Sequence, residues 1–181
     1  AIVLADGVSS SDVSQIAAQA AVRGFLTDYY CTSDAWSVKT SAQRVLAATN
    51  SWLYAQTRAS QFRYDRDKGY VCTLSALIVK SASAHIFHVG DSRVYRLTGD
   101  TLEQLTEDHR IRVSSQQSYL GRALGVGHQV EIDYATTPIA KGDVFVLATD
   151  GVYEFVSERF AARTMLDRAD DLDRAARTIV D

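Results

Sequence analysis

Three carboxylates in this chain each close a run of strand character. Asp6-Gly7 follows Ile2 to Ala5, Gly90-Asp91-Ser92-Arg93 follows His85 to Val89, and Asp150-Gly151 follows Phe145 to Ala148, with Glu154 one helical turn later. Taken singly, an Asp-Gly step after a strand is ordinarily a turn. Repeated at the ends of separate buried strands, such steps can gather carboxylates at one edge of a core. Unpaired, those carboxylates repel and desolvate each other, so Asp6 and Asp150 are expected to have raised pKa values and to want a cation between them. Hard oxygen ligands of this kind suit Mg²⁺ or Mn²⁺, which keep several waters and need few carboxylates. A pair of such ions serves in-line hydrolysis of phosphoesters.

The elements that must position these groups are predicted by periodicity. Val13, Ile16, Ala17, Ala20 and Gly24 recur at helical spacing and predict a helix from about Asp12 to Tyr29. After a cap offered by Ser33-Asp34, Val38, Ala42, Val45, Leu46, Thr49, Trp52 and Leu53 form a second amphipathic face. Strands are predicted over Tyr70–Val79 and His85–Val89. A hairpin turns at Thr98-Gly99-Asp100, and Val130, Ile132 and Tyr134 alternate like a further strand. Thr106 to Gly127 is a polar excursion with a short helix expected near Gln117 to Leu124. Two helical patterns close the chain, Ser157 to Arg168 and Asp171 onward. Strand, two helices, hairpins, then helices describes an α+β architecture with mainly antiparallel sheet, and not a doubly wound one.

Composition narrows the class. At 181 residues, with 46% hydrophobic and 23% charged residues, the chain is of single-domain size with enough apolar content for a core. A net charge of −3 and no basic run give no support to nucleic-acid binding. No segment is apolar enough to span a membrane and no signal-peptide pattern is present, so a cytoplasmic setting is expected. Cys31 and Cys72 are too far apart for a zinc knuckle, and Cys72 reads as a core residue.

Several of these stretches, in order, resemble the PP2C (PPM) family of metal-dependent protein phosphatases. They are Leu4-Ala5-Asp6-Gly7-Val8, His88 to Tyr95, Leu105-Thr106-Glu107-Asp108-His109 and Ala148-Thr149-Asp150-Gly151-Val152, with Gly69 to Ala76 and Arg122 to Gly125 as weaker matches. The likeness is greatest to bacterial members, including phosphatase halves fused to a Ser/Thr kinase. It implies one domain over residues 1–181, folded as an α-β-β-α sandwich of two mainly antiparallel sheets flanked by helices. It also implies hydrolysis of phosphoserine and phosphothreonine in proteins by a metal-activated water, with two Mn²⁺ or Mg²⁺ ions and, in bacterial relatives, a third. By position, Asp6 would bridge both ions, the Gly7 carbonyl would serve one and Asp150 the other, with Asp91 and Glu154 at the third.

The departures are as specific. The family's phosphate-binding Arg and acidic pair belong to an N-terminal strand, and an Asp-Asn ligand to a C-terminal one. Neither is in this chain, which is expected to hold the middle of the site. Val8 stands where eukaryotic members carry His, and Ser9-Ser10 replaces Gly-Gly. The alternative is therefore an inactive phosphatase-like module with a regulatory or binding role. A serine esterase centred on Ser92 fails, because an Asp three residues before a downstream His is missing: Thr106 precedes His109 and Gly125 precedes His128. His85 and His88, three apart in a strand, point to opposite faces and form no metal pair.

Overall fold

A computed structural model describes residues 1–65, 68–112 and 118–181. Its elements run β1 (Ile2–Leu4), α1 (Ser14–Tyr30), α2 (Val38–Ala59), β2 (Leu74–Lys80), β3 (Ser83–Val89), β4 (Arg93–Thr98), β5 (Thr101–Gln104), β6 (Arg110–Arg112), β7 (Ser118–Leu120), β8 (Asp133–Pro138), β9 (Phe145–Ala148), α3 (Asp150–Tyr153), α4 (Glu158–Asp167) and α5 (Leu172–Val180). The strands form antiparallel sheets in the orders β1-β2-β3-β8 and β5-β4-β9, with β6-β7 as a separate hairpin.

The layering reflects the two-residue period of the strands. In β2, Leu74, Ala76 and Ile78 face α1 and α2, where they meet Ala17, Ala21, Phe25, Leu46 and Leu53; Leu77 faces the other way. In β3 the same split sends Phe87 and Val89 to the helices and Ala84 and Ile86 to the space between the sheets. There they meet Val94, Phe145 and Leu147 of the second sheet, whose outer face (Leu97, Leu102, Val146) is covered by Ala161 and Met165 of α4 and Ala175 and Ile179 of α5. The order is helix, sheet, sheet, helix, as expected, with α1 and α2 packed together on the first sheet. Each fully buried Leu or Phe in these layers contributes about 1.5–3 kcal/mol through removal from water.

The differences from expectation are local. The buried stripe of α1 is Ser14, Ala17, Ala21 and Phe25, and Ile16 is exposed. The face is rotated from the one that Ile16 predicts, because close approach to β1 favours small side chains such as Ser14 and Ala21. The cap of α2 is Ser37, whose Oγ accepts from Thr40 N at 3.1 Å, while Ser33 only accepts from Ala35 N in the preceding turn. Trp52 is exposed, and Trp36 lies under the Arg44 guanidinium at 4.2 Å. The short helix expected near residue 120 is replaced by the β6-β7 hairpin, in which Arg110 pairs with Leu120 and Ile111 with Tyr119; Gln117 lies outside the described residues. Asn50, buried in α2, anchors the connection from β7 to β8: its Oδ1 accepts from Gly125 N at 2.8 Å and its Nδ2 donates to Gly127 O at 3.0 Å.

Candidate metal centre

Asp6 leaves the end of β1 at the edge of the first sheet, and Asp150 begins α3 directly after β9 at the edge of the second. The Asp6 backbone is clamped to the residue before β2. Its N–H donates to Thr73 Oγ1 at 3.2 Å and its carbonyl accepts from Thr73 N at 2.8 Å. Gly7 then passes so close to α1 that a Cβ there would sit 2.6 Å from the Ser14 carbonyl carbon. Only glycine lets strand and helix meet at this spacing. Gly151 differs: it is helical, with its N–H donating to Asp150 Oδ1 at 2.8 Å.

The two carboxylates face each other. Burial pushes the Asp6 carboxyl above its usual range, and Asp150, through its charge and a hydrogen bond, pushes it further. This arrangement fits a cation, since a positive charge between the two would remove the repulsion. Among the described residues, no three His, Cys, Asp or Glu side chains converge closely enough to hold an ion alone. Asp6 and Asp150 could offer such an ion two anionic ligands, with water or backbone carbonyl completing its shell.

Asp91 and Glu154 approach the same place and meet a group that sequence reasoning missed. Arg110, on β6, donates from Nε to Asp91 Oδ2 at 2.7 Å; its Nη2 lies 3.5 Å from Asp150 Oδ2 and its Nη1 3.6 Å from Glu154 Oε1. The hydrogen bond to Asp91 raises the Arg110 pKa further above its ordinary value. Asp91 is presented by Gly90, whose φ of +114° and close approach to Thr73 exclude a side chain. Tyr153 Oη donates to the Asp91 carbonyl at 3.0 Å, and the Arg93 guanidinium lies over the Tyr153 ring at 3.7 Å while pairing doubly with Asp108. Asp108 is therefore an anchor for Arg93. Nothing in the motif spacing marks Arg110.

Behind these residues lies a buried polar layer. Thr73 Oγ1 and Ser92 Oγ are 2.7 Å apart, which fixes Ser92 as a structural hydroxyl. Ser75 Oγ meets His88 Nδ1 at 2.9 Å, and His88 Nε2 donates to Glu107 O at 3.1 Å. Burial, aided by the neighbouring His109, lowers the His88 pKa to about 4, so Ser75 donates to a neutral ring. Gly90 N donates to His109 Nδ1 at 3.0 Å, which leaves Nε2 to donate to Asp133 Oδ2 at 2.9 Å. Burial pulls the Asp133 carboxyl up, but hydrogen bonds from His109 and Arg122 outweigh it and hold it below the usual range. His85 points the other way, to Tyr134 Oη, as its spacing predicts. Cys72 is in the core, its thiol pushed up to about 12 by burial.

A chain of this architecture has counterparts. The Serine/threonine phosphatase stp of Listeria welshimeri is 30% identical over 180 residues, which cover 87% of this chain and 68% of that protein. Among solved structures, Stp1 from Staphylococcus aureus superposes with a TM-score of 0.81 at 19% identity, covering 98% of this chain and 76% of that one. The catalytic domain of a serine/threonine protein phosphatase PstP, solved in complex with two manganese ions, does so at 0.77 and 23%, covering 98% and 80%; the PstP of Mycobacterium tuberculosis is 28% identical over 175 residues, which cover 87% of this chain and 32% of that protein. The sequence model of the family Protein phosphatase 2C matches residues 1–178, nearly the whole length, and the fold agrees with it: the chain belongs to the protein phosphatase 2C family.

Proposed function

We infer that this chain is a metal-dependent phosphatase acting on phosphoserine and phosphothreonine in proteins. The observation that carries the reading is the meeting of Asp6 and Asp150 at the edges of two packed sheets, where Asp150 pushes the Asp6 carboxyl upward although Arg110 lies 3.5 Å from Asp150. Membership of the family and the names of the Listeria and Mycobacterium relatives support the substrate class. In this reading Asp6, the Gly7 carbonyl and Asp150 hold two Mn²⁺ or Mg²⁺ ions, and the two manganese ions bound to the PstP catalytic domain favour manganese. Such ions, when bound, supply Lewis-acid activation of water and of the phosphoryl oxygens.

The chain's own residues do the positioning. Thr73 fixes the Asp6 backbone from both sides, Gly7 brings α1 up against it, and the first turn of α3 orients Asp150. Val8 offers no proton to the departing serine or threonine oxygen. An inactive regulatory module finds no comparable support, because facing carboxylates carry a cost that binding alone would not require. A cytoplasmic signalling role opposite a Ser/Thr kinase, fused or separate, belongs to the same reading. No helix among the described residues is long and apolar enough to cross a membrane. The test is release of phosphate from phosphoserine and phosphothreonine peptides with and without Mn²⁺. Equal rates in EDTA and in Mn²⁺ would refute it.

A further inference from the structure

Arg110 is placed by backbone, and not by chance contact of a long side chain. His109 N donates to Gly90 O at 2.8 Å and Gly121 N donates to His109 O at 2.6 Å, so the start of β6 is pinned beside the Gly90-Asp91 step. From there the guanidinium reaches Asp91, Asp150 and Glu154 at once. The Asp91 side chain is only 12% exposed, so its charge needs a close partner; Glu154, at 48%, is a weaker participant. Asp91, Asp150 and Glu154 thus share one guanidinium as their common cation.

We propose that Arg110 is a tethered cation that holds Asp91 and Glu154 in place of a further divalent ion, so that this protein binds fewer ions than its carboxylates would allow. The proposal rests on the reading of Asp6 and Asp150 as metal ligands only for the neighbouring ions. A guanidinium does not lose its proton in proteins, so it leaves this site by displacement and not by titration. Its tether gives it an effective concentration on the order of millimolar, against which a strongly hydrated Mg²⁺ or Mn²⁺ must compete for few carboxylates. Arg93, Tyr153 and Asp108 brace the Asp91 backbone independently of any ion, so the Asp91–Arg110 bond is set into a built frame.

The test counts ions. Bound Mn²⁺ is measured by the loss of the free-ion electron paramagnetic resonance signal, up to millimolar Mn²⁺, for the unaltered protein, Arg110→Gln, Arg110→Lys and Arg110→Gln/Asp91→Asn. The expected result is one additional Mn²⁺ equivalent in Arg110→Gln, absent from the double variant and from Arg110→Lys, which keeps the charge. An Arg110→Gln protein with the same count and affinity as the unaltered one overturns the proposal, however many ions Asp6 and Asp150 hold. Failure of the metal reading shows differently, as Asp6→Asn and Asp150→Asn leaving the unaltered count unchanged. Thermal melting supplies a second readout should Arg110→Gln fold poorly in EDTA. Mn²⁺ should raise its melting temperature several degrees more than that of the unaltered protein, and an equal or smaller gain overturns the proposal.

Discussion

Gly7 and Gly151 each follow an aspartate of the site, yet their surroundings differ. A Cβ on Gly7 would lie 2.6 Å from the Ser14 backbone, whereas a Cβ on Gly151 would have its nearest neighbour, Thr149 Oγ1, at 3.7 Å. Asp6 is held by two hydrogen bonds to Thr73 and through it by a buried hydroxyl and imidazole layer. Asp150 has a short helical turn and the Arg110 guanidinium. The first step is built into the core and the second is laid on its surface. Two identical dipeptides therefore present their carboxylates to one place with unequal rigidity, which suits the proposed centre, where one carboxylate fixes position and the other adapts.

The largest effect should come from removing either charge. Asp6→Asn or Asp150→Asn is expected to lower phosphopeptide turnover in Mn²⁺ by ~10³-fold or more, on the order of 4 kcal/mol of transition-state stabilisation. If both steps are needed, the two variants fall equally in kcat/KM; a variant that keeps full activity breaks the pairing of the two aspartates.

Acid should act next, and through the core behind Asp6. The folded pKa of His88 is about 4 against an ordinary 6.5, so between these values the unfolded chain binds a proton that the folded chain refuses. Stability is thus lost as pH falls from about 6.5 to about 4, by roughly 3 kcal/mol, and changes little from this source above 6.5. Urea unfolding across that range checks it, and His88→Gln should flatten the slope.

Smaller changes sharpen the contrast between the glycines. Gly7→Ala should cost about 1–3 kcal/mol by overpacking against α1. Gly151→Ala should be neutral or stabilise by about 0.5 kcal/mol, since it sits in a helical turn with room for a methyl group. Denaturant midpoints of the two variants decide it, and equal losses would erase the difference between the steps.

Much of this is legible in the sequence, for reasons that particular residues show. Strands such as Leu74–Lys80, expected over Tyr70–Val79, and Phe145–Ala148 announce themselves by apolar runs, and the hairpin by Gly99-Asp100. The layer order emerges once their two faces are assigned. The pairing of Asp6 with Asp150 is expected from their strand-end positions, and the Asp6 carboxyl is raised by burial and by its neighbour. What the sequence does not disclose depends on contacts between distant segments. Arg110 meets Asp91 only because the polar stretch after His109 forms a hairpin, where its residue types predict a short helix. Asp133 reads as an ordinary strand-end residue until His109 and Arg122 close on it. In α1 the stripe is shifted because Ser14 and Ala21 allow closeness to the sheet, a criterion that hydrophobicity does not report.

The reciprocal bonds between Asp6 and Thr73 extend the pairing of β1 with β2 past the last residue of β1. A strand of three residues at a sheet edge would ordinarily fray, and its terminal amides would exchange with deuterium quickly. Here the Asp6 amide spends its hydrogen on the hydroxyl of a residue 4% exposed, itself tied to Ser92. Its exchange should follow separation of β1 from β2 as a unit, and not local fraying. Slow exchange would then belong to a residue at the rim of the site, where the protein's surface is as persistent as its interior.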